Sequence, residues 1–418
     1  MTRGFWRVTG SLALAFSLVT GCAHADRGPA ATAITVWMYP VIADPRASAA
    51  YWKQVERAFA EASPGVRLTV AELPWADRDS RLTAALADGT GPDAVLLMPD
   101  QLPRFALRGA VAPVGDVLED TAGKFLPSAL AAATVRGEIY GAPIYQTVTT
   151  TLYNKRLLDD AGVLAPPATW KEVEAAAPKL RRNGVALLDY SAADDATLNL
   201  NFYPLLWQAG GHVFSPDGKK AAFNSAAGVR ALTFLTTLYG TGAIPPTSTT
   251  STNRLADEAL GRQQAAMGYS VDPADADLAA RTWGADNVLV GAPLRGPVQE
   301  SAFGAPGVLS VNAASRHQAE TREFLAFMTR PAQIKSLSRA SGYLSPRADV
   351  VVPNASPYAR QYQEALASVS PGEPNPVSRQ VMRLLAPEIR ATLTGRKSAR
   401  RALDDAAAAA DALLARSS

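Results

Sequence analysis

With 418 residues, 41 Lys plus Arg against 38 Asp plus Glu, and a formal net charge of +3, the chain is too long for one ordinary core, so two domains are expected. Hydrophobic residues at 48% and charged residues at 19% exclude a disordered chain, and interspersed charges of both signs leave no basic stripe for nucleic acid. A single Cys excludes an internal disulfide, so stability rests on the core.

The chain opens with Arg3 and Arg7 before the apolar run Leu12 to Val19, a pattern of secretory length and too short to span a bilayer. Val19-Thr20-Gly21-Cys22 then resembles a bacterial lipobox, in which the Cys is acylated after cleavage before it. Several acyl chains on Cys22 would anchor a soluble body stably, where one would not. Cleavage after Ala23-His24-Ala25, which would release the protein, is the competing reading. Residues 1–21 therefore read as a signal peptide and 22–33 as a tether.

Ile34, Val36 and Met38 alternate as a strand, and Tyr51, Trp52, Val55, Phe59 and Ala62 recur at helical spacing up to Pro64-Gly65. Val66, Leu68 and Val70 alternate again, Ser80 to Ala87 reads as a helix, and Asp93 to Met98 as a strand buried on both faces. That order predicts right-handed βαβ units and a parallel sheet, with ligands met by loops at the carboxyl ends of the strands. Those loops carry Trp37-Met38-Tyr39, Leu73-Pro74-Trp75 and Pro99-Asp100-Gln101. Next comes the stretch on which the organisation turns, Gly141-Ala142-Pro143-Ile144-Tyr145-Gln146 running into Thr151-Leu152-Tyr153-Asn154-Lys155. Its β-branched and aromatic run predicts an extended strand passing from one body to another.

Beyond it the pattern turns helical. Trp170 to Leu180 follows Thr169 with Glu172 placed for a capping box, and Val229 to Leu238 ends at Gly240. Leu255 to Gln263 reads as a helix, with short strands at Ala265 to Tyr269, Val288 to Val290 and Val308 to Val311. Helices follow at Ala319 to Met328, behind Pro331 up to Gly342, and over Pro357 to Leu366, Val377 to Leu393 and Ala399 to Leu414. Alanines 406–410 form helix well and fill a core poorly, which predicts a surface position for the last helix.

Chemistry is sparse. His24, His212 and His317 are isolated, no Cys/His spacing suits a metal, and no phosphate-loop or nucleophile-elbow motif occurs. Asp194-Asp195 and Asp404-Asp405 are adjacent pairs whose side chains diverge, reading as solvated faces rather than acid/base pairs. Neither enzyme chemistry nor a cofactor is expected.

In order along the chain stand Ile34-Thr35-Val36-Trp37, Gly91-Pro92-Asp93, Gly137 to Lys155, Trp207 to Gly211 with Phe223-Asn224-Ser225, and Ala265-Ala266-Met267-Gly268 followed by Gly342 to Arg347. With these segments the chain resembles the extracellular solute-binding proteins of carbohydrate-type ABC importers, similar in plan to maltose-binding protein. The resemblance implies an α/β, two-lobe periplasmic-binding-protein-like fold (class II) with parallel-rich sheets flanked by helices and a hinged cleft. One lobe would take 34–143 and 298–344, the other 148–294 and 349–418, with hinges near 144–147, 295–297 and 345–348. It implies a monomer outside the cytoplasmic membrane that hands carbohydrate to two permease subunits with a cytoplasmic ATPase. A glycerophosphodiester or amino sugar in place of carbohydrate is the variant; an anchored hydrolase of envelope glycans is the alternative from another class.

Aromatic rings cover the C–H faces of a sugar while carboxylates, amides and Arg take its hydroxyls. Asp100 matches by position a sugar-binding Asp of the relatives, with a helix N-cap as its other reading, and Gln101 stands where they often carry Arg. Trp37 and Tyr39 stand equally as cleft wall or core, and Trp75, after Pro74, as a loop residue in the cleft. Tyr145 and Gln146 lie on the crossover. Tyr203 and Trp207 fall where the relatives place a stacking platform, against joint core packing at a spacing of four, with Asn199 and Asn201 weaker candidates. Tyr269, Ser270 and Asp272 follow the Ala-Met strand. Phe303-Gly304 is placed to close over ligand, and Arg347 to serve hydroxyls or a phosphate, against a surface ion pair.

Overall fold

The computed structural model describes residues 31–87, 91–193, 197–251, 254–352 and 356–417. The signal and lipobox readings at 1–21 and Cys22, most of the tether, His24 and the Asp194-Asp195 pair lie outside the described residues. Two main cores organise the chain, each around its own sheet, with a smaller one formed by residues that include Leu152, Val271, Trp283 and Tyr362.

In the first body the strand order is Val66–Glu72, Thr32–Met38, Ala94–Leu97, Pro306–Asn312, Val111–Ala112, with Ala142–Gln146 also pairing along Pro306–Asn312. The three N-terminal strands are mutually parallel, as their βαβ spacing requires. Pro306–Asn312 enters antiparallel to Ala94–Leu97 and Ala142–Gln146, so the sheet is mixed. Ala94–Leu97 and Pro306–Asn312 are buried throughout, which accounts for the unbroken apolar character of the first; the second also buries Ser310 and Asn312. Phe59 of the helix Pro45–Ala62 meets Phe324 and Phe327 edge-on at 5.3 and 5.4 Å, fixing the helix Gln318–Met328 against it.

The second body is built on the order Val288–Val290, Thr150–Asn154, Ala265–Val271, Ala186–Leu188. Around it pack Trp170–Arg182, Phe202–Gln208, Ala226–Gly240, Ser378–Leu393 and Ala399–Ser417. Thr169 caps the first of these in the reciprocal pattern with Glu172. Trp170 stacks on Phe234 at 4.3 Å and donates its indole N–H to Gln208 Oε1 at 2.7 Å. Two sequence expectations fail here. The last helix is not a surface element: Ala402, Leu403, Ala406, Ala407, Ala410 and Leu414 are buried, because alanines let it approach its neighbours closely. Leu255 to Gln263 gives only the short turn Leu255–Asp257, since the Asp189 carboxylate takes the Leu260 N–H that a helix would have used.

The segment 142–154 leaves the first sheet at Gln146 and joins the second at Thr150. Beside it runs 303–305: Thr147 N–H donates to Ala305 O and Thr149 N–H to Phe303 O, both at 2.9 Å. The two threonine hydroxyls repeat those bonds to the same carbonyls at 2.9 Å. Leu344 pairs with Gln146 on the other side. Gly304 is required by this close approach, since a Cβ there would stand 2.7 Å from Thr147 O and 2.9 Å from Val369 Cβ. The crossing at 303–305 falls later than the expected 295–297. Gly296 lies against Gln208 and Ala302–Phe303 pairs with Val369–Ser370, so 295–303 stays with the second body. The third expected hinge shifts likewise: residues 345–348 pack on the first body through Leu126 N–H to Pro346 O and Ala348 N–H to Lys124 O. By Ser356, whose hydroxyl donates to Asp277, the chain is on the second.

Candidate functional site

At the carboxyl end of Ala94–Leu97 the chain turns through Met98-Pro99-Asp100-Gln101. Gln101 organises this turn, its Oε1 accepting from Met98 N–H at 3.1 Å and its Nε2 donating to Asp79 Oδ1 at 2.9 Å. Two carboxylates, Asp79 from the helix Arg78–Ala87 and Asp100 from the turn, are thereby held on one rim of the first body.

The second body meets them with the first turns of Ser378–Leu393. Arg379 donates through Nε to Asp79 Oδ2 and through Nη1 to Asp100 Oδ2, both at 3.2 Å. Arg383, one turn on, donates to Asp79 Oδ2 at 2.9 Å. Asn199 Nδ2 donates to Asp100 Oδ2 at 3.3 Å, and Arg379 Nη1 also reaches Thr197 Oγ1 at 3.4 Å and the Met382 sulfur at 3.6 Å. Burial works against charge on Arg379, but the Asp100 and Asp79 carboxylates outweigh it and hold the guanidinium proton more tightly than usual. Tyr203 lies beside this network; burial, then the charges of Glu373 and Asp100, push its phenol up, so it stays a neutral hydroxyl. The Tyr203 hydroxyl and Asn199 Oδ1 are both buried and have no hydrogen-bond partner among the described residues. Such groups are expected to meet a polar partner.

Aromatic surface stands at the same end of the first sheet. Trp75 is half-buried and stacked on Tyr39 at 4.7 Å and 19°, its indole N–H reaching Pro40 O at 3.4 Å. Trp37 is half-buried on its strand, packed against the first core. Tyr145 is buried, its hydroxyl 3.7 Å from the Met98 sulfur and its ring 5.1 Å from Tyr343. Gln146, at the crossing, donates to Thr147 O and keeps a buried Oε1 with no partner among the described residues.

Other sequence candidates are engaged elsewhere. Trp207 is buried in the second core, and its indole N–H donates to Glu373 Oε1 at 3.0 Å, which removes it from the role of an open platform. Tyr269 is buried and donates to Asn201 O. Asp272 caps the helix Pro273–Trp283 by accepting from Asp275 N–H at 2.9 Å. Ser270 donates to Thr149 Oγ1 at the crossing. Phe303 and Gly304 form the crossing itself rather than a cover over it. Arg347 lies outside the seam and forms the ion pair that was its other reading: itself buried over the Phe125 ring, it donates to the exposed Asp349 and to Thr329 O. Asp79, Arg379 and Arg383 were missed from sequence. The signal was faint, a helical face repeating Arg379, Met382 and Arg383, which reads alone as a solvated stripe.

One more ionisable pair lies apart from this seam. Asp189 and Glu258 share a buried hydrogen bond; burial, then the Asp189 charge, pushes the Glu258 carboxyl up to about 8. Ser191 donates to Glu258 Oε1 at 2.6 Å. Two carboxyls so close hold a proton between them near neutral pH, a structural arrangement at the edge of the second sheet. Broad grooves of about 590 Å3 near Ser63 and Arg330 and about 520 Å3 near Trp170 and Arg295 lie on outer flanks, away from the charged seam.

Among known proteins, the profile for bacterial extracellular solute-binding protein matches residues 43–335. A binding protein of Brucella abortus (strain 2308) is 28% identical over 170 residues, 40% of this chain and 41% of that protein. An arabinooligosaccharide-binding protein of Halalkalibacterium halodurans is 27% identical over 158 residues, 37% of this chain and 34% of that protein. The chain thus spans well under half the length of these curated relatives. A solved ABC transporter solute-binding protein from Thermotoga lettingae, bound with alpha-D-tagatose, superposes with a TM-score of 0.79 at 22% identity, covering 92% of this chain and 100% of that one. That likeness shows the fold.

Proposed function

The chain belongs to the bacterial extracellular solute-binding protein family, and from that premise we propose that it captures a carbohydrate in the cleft between its two bodies and delivers it to an ABC permease. The observation that carries this reading is the convergence of polar groups from both bodies on one seam: Asp79, Asp100 and Gln101 from one, Asn199, Tyr203 and Arg379 from the other. The half-buried Trp75 and Trp37 near the same rim supply apolar surface for sugar C–H faces. Lobes of roughly 31–146 with 306–350, and 150–303 with 356–417, would close about the crossings.

Arg379 and Arg383 are both paired with aspartates of the seam, which favours a neutral polyol over a phosphodiester. Both carboxylates are tied to Arg379 rather than opposed across a gap, which favours binding without bond cleavage over glycan hydrolysis. Among the described residues no helix is long and apolar enough to cross a membrane. Export followed by acylation at Cys22 would hold the receptor beside its permease.

The test is a thermal-shift panel of malto- and arabinooligosaccharides, chitobiose, monosaccharides and glycerophosphocholine, with chromatography of the sugars after incubation. A sugar at about 100 Kd is expected to add roughly 2.7 kcal/mol to stability and to be recovered intact. Response to the phosphodiester alone, to nothing, or with cleavage of the sugar would each overturn the reading. Asp100→Ala and Asn199→Ala are expected to abolish the shift.

A further inference from the structure

The proposed capture reaction treats closure as something a solute brings about, yet the bridge between the bodies contains a component made wholly of the chain's own side chains. Arg379 is carried by the second body, is only 14% exposed along its side chain, and reaches two carboxylates of the first body at once. Asp79 is in turn fixed by Gln101 on its own body, and Arg379 is held on its own body by Thr197 and Met382, so both ends of the bridge are pre-positioned. Charge-assisted bonds of this kind are about twice as strong as neutral ones, and a forked guanidinium spanning two acceptors loses less freedom per bond than a flexible ammonium.

We propose that Arg379 is an interbody latch: by binding Asp79 and Asp100 it favours the closed arrangement whether or not solute is present, and so sets the resting balance between open and closed protein. This rests on the reading that the two bodies hinge about their crossings. A solute can shift that balance only by its differential affinity for the two arrangements. Where the closed form is already well populated, the solute needs to supply less. Arg379 acts here as a positioning residue, holding the Asp100 carboxylate where it meets Asn199.

The experiment is small-angle X-ray scattering on solute-free protein at 50 mM NaCl, for the wild type, Arg379→Gln, Asp79→Asn and Arg379→Lys, each checked for an intact thermal transition. The wild type is expected to scatter as the compact molecule. Arg379→Gln and Asp79→Asn are expected to expand, with the closed-to-open ratio falling about tenfold or more, as for lost charge-assisted bonds. Arg379→Lys, which keeps the charge and loses the fork, should fall between. Superimposable curves for the wild type and Arg379→Gln, or an expanded wild type, would overturn the latch. Because no solute is used, the two readings fail separately. Expansion of the variants with no response in the sugar panel keeps the latch and removes carbohydrate capture. A sugar response with scattering indifferent to Arg379 removes the latch alone.

Discussion

Along the crossing strands the two bodies are joined by backbone carbonyls, amide N–H groups and threonine hydroxyls, packed so closely that only glycine fits at 304. At the rim carrying Asp100 they are joined by two aspartates and two arginines that reach one another through side chains alone. The difference matters when the bodies separate. Buried backbone groups pulled apart at the crossing lose partners on a covalently continuous strand, whereas charged side chains withdrawn from one another return to water, where each is well solvated. On the hinging proposed above, the first seam would persist and bend and the second would make and break.

That contrast fails most visibly if the crossing tolerates bulk. Gly304→Val places a Cβ against the Thr147 carbonyl and Val369 and is expected to cost about 3 kcal/mol or more, read by denaturant unfolding. A pH series then separates the interior of the second body from both seams. The Glu258 carboxyl sits near 8 when folded and near its ordinary value when unfolded, so the fold binds the extra proton. The Glu258 contribution is full below about pH 4.5 and is lost as pH rises through about 8, by an amount on the order of a few kcal/mol; Glu258→Gln should reduce that slope, leaving the part due to Asp272 and Asp275, whose carboxyls burial also pushes up. Thr149→Val strips the hydroxyl that Phe303 N–H, Phe303 O and Ser270 all use, for an expected loss of about 1–3 kcal/mol in the melt. The smallest effect belongs to the charged rim: Asp100→Asn should change the unfolding free energy by about 1 kcal/mol or less, since opening hydrates the freed Arg379 without unfolding either body. Raising NaCl from 50 to 500 mM shortens the screening length from about 14 to about 4 Å, and should likewise leave the melt nearly unmoved while loosening the rim.

Periodicity made much of this architecture legible. Alternation at Ile34 to Met38 and Val66 to Val70, the buried run before Met98, the capping box at Thr169 and Pro331 opening a helix all became the expected elements. Asp100 and Gln101 were legible as the loop beyond the third strand, whereas Asn199 stood only as a weaker candidate beside Tyr203 and Trp207. What stayed hidden depends on partners far away in sequence. Nothing local to Arg379 announces Asp79, 300 residues earlier. Arg295-Gly296-Pro297 has the composition of a linker, but Gly296 is small because Gln208 lies on it. Arg347 resembles a surface charge until Asp349, Thr329 and the Phe125 ring close around it. Trp207 shows how an aromatic suited to a sugar face is equally suited to a core, the choice falling to the position of Glu373.

The strand Pro306–Asn312 sits between Ala94–Leu97 and the edge strands of the first sheet, although it is made roughly two hundred residues later. During synthesis the N-terminal half therefore carries an unfinished sheet with a bare apolar edge, and its assembly waits on contacts of very long sequence separation. The first body would therefore become compact only after Pro306–Asn312 has been made.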